Sequence, residues 1–284
     1  MTRMPKMALA FVAGFVLVAA GACTGGGGSS DAKLSDPNSI ISAAINGGAD
    51  IKSFHIKIAV NGTINAAALK SATADVGIPV TGDLKLDGTT LEGDVDVTNQ
   101  AAHLALSVPA LAMLGNVPIT GDLIVADKAL YYKVSLLSAK YSKQDLGSLS
   151  SSIPMAIPSV LPTAGASGLT DEITQLKKQM DDAGVKATLV GVDKVSGQDA
   201  YHLNVSVPLD KVNAEIAAEA SGDTSMKLDS ASVDFWVYTS NNRPAQFEIK
   251  GASSSLGSLD LVVTITDYDK AVTISAPAAG DVNP

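Results

Sequence analysis

The chain's single cysteine, Cys23, stands between an apolar run and a glycine tract, and that junction constrains the protein more than any other feature. Ahead of it lie Arg3 and Lys6, then an uncharged stretch from Met7 to Ala20 interrupted only by Gly14. A short basic start followed by an apolar run is the build of a secretory signal peptide. The run is shorter than the roughly 20 residues a helix needs to cross a bilayer. The small residues Ala20, Gly21 and Ala22 suit a cleavage site, so residues 1–22 are expected to be a signal peptide. Thr24 to Ser30, TGGGGSS, cannot continue a helix and reads as a flexible tether. With no second cysteine, no disulfide forms within the chain.

Ala20-Gly21-Ala22-Cys23 resembles a bacterial lipobox, with Ala20 where the pattern usually has Leu. That resemblance implies a diacylglycerol on the sulfur of Cys23, which would become the first residue of the mature chain. Two acyl chains hold a protein stably on a membrane, whereas one is marginal. The expectation is a protein anchored on the outer face of the cell membrane, with residues 23–33 as lipidated cysteine and tether. A thiol consumed in this way is not a nucleophile. No cofactor is expected apart from the covalent diacylglycerol.

The chain has 20 Lys plus Arg against 29 Asp plus Glu. Removing Arg3 and Lys6 with the signal segment leaves 18 against 29, or −11. So acidic a body repels nucleic acid, and no such partner is expected. Hydrophobic residues make up 46% and aromatics only 4%, so the core must be built from aliphatic side chains. No second linker like the glycine tract follows, which favours one domain over residues 34–277 and a tail over 278–284.

The body opens on a helix signal: Asp36 as N-cap, Pro37 in the first turn, Ile40, Ile41, Ala44 and Ile45 on one face, Gly47-Gly48 as the stop. In Phe54 to Val60 the residues Phe54, Ile56, Ile58 and Val60 alternate with His55, Lys57 and Ala59, which predicts a half-buried strand. Further strands are expected at 82–86, 91–97, 103–108, 121–126 and 130–134, with turns such as Asp87-Gly88 between them, as in an antiparallel meander. An echo joins Ile78 to Leu84 with Val117 to Leu123, 39 residues later, and predicts two equivalent strand starts in one sheet. The second half predicts a helix from Thr170 to Gly184, strands at 185–190 and 200–207, and a helix over 209–220. Strands at 232–239, 245–250 and 258–266 follow, then a final stretch at 272–277 that is either edge strand or coil.

Residues 146–169 are the most unusual part of the body. Pro154, Pro158 and Pro162 are interleaved with Ile153, Met155, Ile157, Val160 and Leu161, an apolar segment that is neither regular helix nor strand. Two readings stand: a loop packed on the core, or a lid or lip over an apolar cavity in which those five residues form the entrance.

Enzymatic patterns are missing. His55, His103 and His202 lie far apart, each on the polar side of a strand pattern, with no zinc-type spacing. No Gly-x-Ser-x-Gly elbow occurs, and the glycines at 25–28 follow no strand. The pairs Asp94 with Asp96 and Asp267 with Asp269 read as solvated carboxylates rather than calcium ligands. The expectation is a protein that is not an enzyme and holds no metal.

Three further stretches carry a family likeness: Val195-Ser196-Gly197-Gln198-Asp199-Ala200-Tyr201-His202-Leu203, Phe235-Trp236-Val237-Tyr238 leading to Arg243-Pro244, and Thr264-Ile265-Thr266-Asp267-Tyr268 ending at Ile274 to Pro277. Together they resemble the actinobacterial lipoproteins LppX, LprA, LprF and LprG, relatives of the periplasmic carrier LolA. The resemblance implies an α+β fold: a strongly curved antiparallel half-barrel with a few helices on its concave side, enclosing an apolar cavity for acyl chains. The implied partners are a lipid or glycolipid ligand, the membrane through the anchor, and an envelope transporter. The rival is a structural lipoprotein whose half-barrel is filled by its own side chains and which binds an envelope protein.

Overall fold

The computed structural model describes residues 34–48, 50–73, 80, 82–111, 117–149, 185–219 and 227–283. Cys23, the lid candidates Ile153, Met155, Ile157, Val160 and Leu161, and the helix expected from Thr170 all lie outside them.

Among the described residues twelve strands form one antiparallel sheet. They are β1 (Ser53–Ile64), β2 (Leu84–Lys85), β3 (Thr89–Asp96), β4 (Ala101–Leu111), β5 (Val117–Ala126), β6 (Ala129–Val134), β7 (Ser142–Asp145), β8 (Ala187–Val195), β9 (Gln198–Val205), β10 (Ser230–Tyr238), β11 (Pro244–Ser253) and β12 (Gly257–Thr266). The order across the sheet is β7-β6-β5-β4-β3-β1-β12-β11-β10-β9-β8. Two meanders therefore meet at β1, which pairs with β3 on one side and β12 on the other. The sheet is open, with β7 and β8 as its two edges, and the expected α+β antiparallel half-barrel is what the chain forms.

Four helices accompany the sheet among the described residues: α1 (Pro37–Gly48), α2 (Ala66–Thr73), α3 (Leu146–Leu149) and α4 (Leu209–Glu219). Asp36 caps α1 as expected. Its Oδ2 accepts from the Ser39 N–H at 2.8 Å and from the Ser39 hydroxyl at 2.8 Å. Ile40 and Ala44 of α1 are buried against Phe54, Ile56, Leu203, Phe235, Phe247, Val263 and Ile265, so the helix lies across one face of the sheet. That face is called inner below.

The alternation read from Phe54 to Val60 continues across the sheet because antiparallel partners share a face. Phe54 pairs with Val95, Ile56 with both Gly93 and Ile265, and Ile58 with Leu91 and Val263. Val263 in turn meets Phe247, Phe247 meets Phe235, and Phe235 meets Leu203. A band of apolar side chains thus runs from β6 to β9. Two smaller clusters sit on the outer face. Val195, Ala200, Trp236, Tyr238 and Ala245 make one; Ile124, Ala126, Ala129 and Tyr131 make the other.

One sequence expectation is corrected, one helix is added and the choice between edge strand and coil at 272–277 falls to coil. The echo does not yield equivalent strands among the described residues: β5 runs ten residues between β4 and β6, whereas of the first copy, in which 78, 79 and 81 lie outside them, only Leu84 enters a strand, the two-residue β2 hung on Ile64 beside the main path. Helix α2, over Ala66 to Thr73, was not among the elements expected from the sequence. The stretch from 272 to 277 forms no strand; Ile274, Ala276 and Val282 pack on the outer Ile124–Tyr131 cluster. The final residues are held too, with Tyr141 N–H donating to Asp281 O at 2.8 Å and Asn283 N–H to Tyr141 O at 2.8 Å.

Candidate functional site: the inner face of the sheet

The inner face divides along the strand direction. At the end where β1 begins, Phe54, Ile56, Val95, Tyr201, Leu203, Phe235, Val237, Phe247, Val263 and Ile265 are buried under α1. This end is closed by its turns. Gly47 packs so tightly on the Asn242 carbonyl that a Cβ there would stand 2.6 Å from it. The hydroxyl of Tyr201 accepts from the Leu34 N–H at 3.0 Å, which fixes the start of the body over β9.

Toward the opposite, distal end the same strands stay apolar but lose their cover. Ile58, Val60, Leu91, Leu104, Leu106, Leu123, Val233, Ile249 and Leu261 are half-buried, and Leu259 is 42% exposed. Side-chain bulk is also low there. Gly62, Gly121 and Gly251 fall at inner positions, and a Cβ at Gly251 would meet only Leu228 Cδ2 and Ser230 O, both at 3.9 Å. Further exposed apolar residues cluster in distal turns and strand ends: Val117, Leu136, Leu137 and Leu256. The site is therefore a two-part surface, buried at one end and apolar and half-exposed at the other. It offers burial to hydrocarbon and little directional bonding.

The outer face holds the chemistry-bearing groups, each already engaged. His55 Nδ1 is 2.8 Å from Asp94 Oδ1 and its Nε2 3.3 Å from Glu92 Oε1, while Lys57 Nζ pairs with Glu92 at 2.9 Å. Burial disfavours the His55 imidazolium, but hydrogen bonds and charge from Asp94 and Glu92 outweigh it and raise its pKa. His103 lies 3.5 Å from Asp122, which also pairs with Lys133. His202 stacks on Trp236 with ring centroids 4.3 Å apart, between Asp193 at 2.9 Å and Asp234 at 3.0 Å. These histidines are cross-strand ties, as their positions in the strand patterns predict. Asp94 faces His55, Asp96 accepts from Asn99, Asp267 pairs with Lys270 and Asp269 with Arg243, so neither acidic pair stands as an open carboxylate cluster. Among the described residues no group of three His, Cys, Asp or Glu could hold a metal ion.

Sequence reasoning placed the candidate entrance at residues 153–161, outside the described residues, and could not name the face itself. The signal was present in the alternation of strands such as β1. What was missing was which alternating positions are covered by α1.

No family model and no curated protein matches the chain. Among solved structures it is similar to the Mycobacterium tuberculosis lipoprotein LppX at 14% identity, over 85% of this chain and 100% of that one, with a TM-score of 0.45. It is similar to LprF from Mycobacterium bovis at 15% identity, over 86% and 97%, with a TM-score of 0.45. Similarity to MucB in complex with MucA is lower, at 10% identity over 86% and 58%, with a TM-score of 0.27.

Proposed function

We propose that this chain is an exported lipoprotein, anchored on the outer face of the cell membrane through a diacylglycerol on Cys23, that binds acylated lipids or glycolipids on its inner face and carries or presents them across the cell envelope. The observation that carries this reading is the contrast within one face, where aliphatic strand positions buried under α1 continue into aliphatic positions that remain half-exposed. An acyl chain laid on the distal half would gain about 0.8 kcal/mol for each CH₂ removed from water, without needing a polar partner. The lipobox resemblance of Ala20 to Cys23 supports the anchor, and the acidic body disfavours a nucleic-acid partner. The Pro-rich segment with Ile153, Met155, Ile157, Val160 and Leu161 serves in this reading as the entrance.

Mass spectrometry of solvent extracts tests it, on protein expressed in an actinobacterium without residues 1–23 and purified without detergent. About one diacyl or triacyl lipid per protein is the expected result. Lipid-free protein that also takes up no fluorescent acyl probe overturns the carrier reading. The second reading, an interaction lipoprotein with a filled core, draws on the helix-covered half, where side chains such as Phe247 and Leu203 already fill the space.

A further inference from the structure

The inner face carries very few polar side chains, and one of them has nothing to bind. From Thr89 to Val95 the inner positions of β3 are Thr89, Leu91, Gly93 and Val95, and Val95 is part of the buried core. Thr89 pairs with Val60, an inner-face residue of β1 that on its other side pairs with Leu261. Thr89 thus stands beside Val60, with Leu91 next on the same face of its own strand, at the distal end where the face is half-exposed.

Among the described residues, the hydroxyl of Ser253 on this face lies 3.0 Å from Ser255 Oγ and accepts from the Leu256 N–H, and that of Ser142, opposite Tyr132, accepts from Asn283 Nδ2 at 3.4 Å. Thr89 Oγ1 is shut off from solvent and has no hydrogen-bond partner among the described residues. The backbone N–H of Thr89 donates to Leu86 O at 3.0 Å, so the main chain there is fixed and only the side chain is left unsatisfied. A buried hydroxyl without a partner costs about 1–3 kcal/mol. Valine would fill the same volume among these neighbours without that cost.

We infer that the Thr89 hydroxyl is the hydrogen-bond donor for an ester carbonyl of the acylated ligand, an inference that rests on the carrier reading above. The two ends of the face set the orientation. Acyl chains lying on the distal half point toward the wall formed by α1 and the Phe247 cluster, because that end is filled. Their ester groups then remain near the distal strand ends, at the level of Thr89. Rotation about χ1 exchanges Oγ1 with the methyl group and turns the hydroxyl toward the ligand. The site selects acyl esters over ether-linked chains of equal length, which have no carbonyl to accept the bond.

The test measures displacement of a fluorescent acyl probe from the detergent-free protein by two competitors, a diacylglycerol and the dialkyl glycerol ether of the same chain length. Wild-type protein is expected to prefer the diester by roughly fivefold, the worth of one hydrogen bond. Thr89→Val is expected to lose that preference, with unchanged affinity for the diether and a melting temperature at or above wild type, while Thr89→Ser keeps the preference. A Thr89→Val protein that retains the preference overturns the inference, as does one that melts lower and loses both competitors equally. If wild type binds both competitors without distinction, this inference alone fails. If it binds no probe and no competitor, the carrier reading fails as well.

Discussion

The Arg243 guanidinium lies over the Tyr268 ring, 5.0 Å from its centroid, and its Nη2 reaches Asp269 Oδ2 at 2.6 Å. Asp269 uses its other oxygen to accept from the Lys52 N–H at 2.8 Å, and the Tyr268 hydroxyl donates to Pro244 O. One carboxylate therefore joins the β10–β11 turn, the exit of β12 and the approach to β1. Burial works against the Asp269 carboxylate, but the Lys52 amide and Arg243 outweigh it and lower its pKa. Asp269→Ala leaves the Lys52 amide and Arg243 without their acceptor and is expected to cost about 2 kcal/mol. In a domain of this size that lowers Tm by about 4–8 °C. Urea unfolding checks it, and an unchanged midpoint would mean that the apolar core alone closes this end.

His55 sets a pH dependence. Its pKa is raised above the ordinary imidazole value of about 6.5. A raised folded value stabilises the protein fully below the unfolded pKa, and that stabilisation is lost as pH rises through the folded value. The stability difference between wild type and His55→Gln is therefore expected to be larger at pH 5.5 than at pH 8.5. Denaturant titrations at the two pH values decide, and an equal difference would remove the ion pairs with Asp94 and Glu92 as the cause.

The two halves of the inner face should answer mutation differently. Phe247→Ala, under α1 and stacked on Phe235 at 4.5 Å, is expected to cost about 3–5 kcal/mol through the cavity it leaves. Ile58→Asn, in the half-exposed part, is expected to cost less stability and to weaken uptake of a fluorescent acyl probe severalfold. Equal stability losses at both positions would favour the filled-core reading.

Charged replacements at Ile157 and Val160 are expected to reduce probe uptake while leaving Tm nearly unchanged, because the carrier reading places these residues at the entrance. A matching loss of stability would put them in the core.

Local sequence determined each element that has a period or a cap. Asp36 and Pro37 fixed the start of α1, and Phe54, Ile56 and Ile58 fixed the buried side of β1 before any partner was known. Asn241 and Asn242 are turn residues by type, and in the β10–β11 turn Asn242 takes a positive φ of 57° with its N–H donating to Tyr238 O. Pairing was not legible, because hydrogen bonds between strands leave no mark on the sequence of either. Nothing in Phe54 to Val60 says that β12, some two hundred residues later, lies beside it at Ile56↔Ile265. The near-repeat is one case: Leu84 of the first copy pairs with Ile64, whereas Leu123, its counterpart in the second, pairs with Leu104 and Tyr132. Nor could alternation distinguish Phe247 from Ile249, two inner positions on one strand, of which one is buried beneath α1 and the other half-exposed. Sequence set which way each side chain faces, since that depends on the residue's own backbone; tertiary structure decided what each one meets, including the lack, among the described residues, of a hydrogen-bond partner for Thr89 Oγ1.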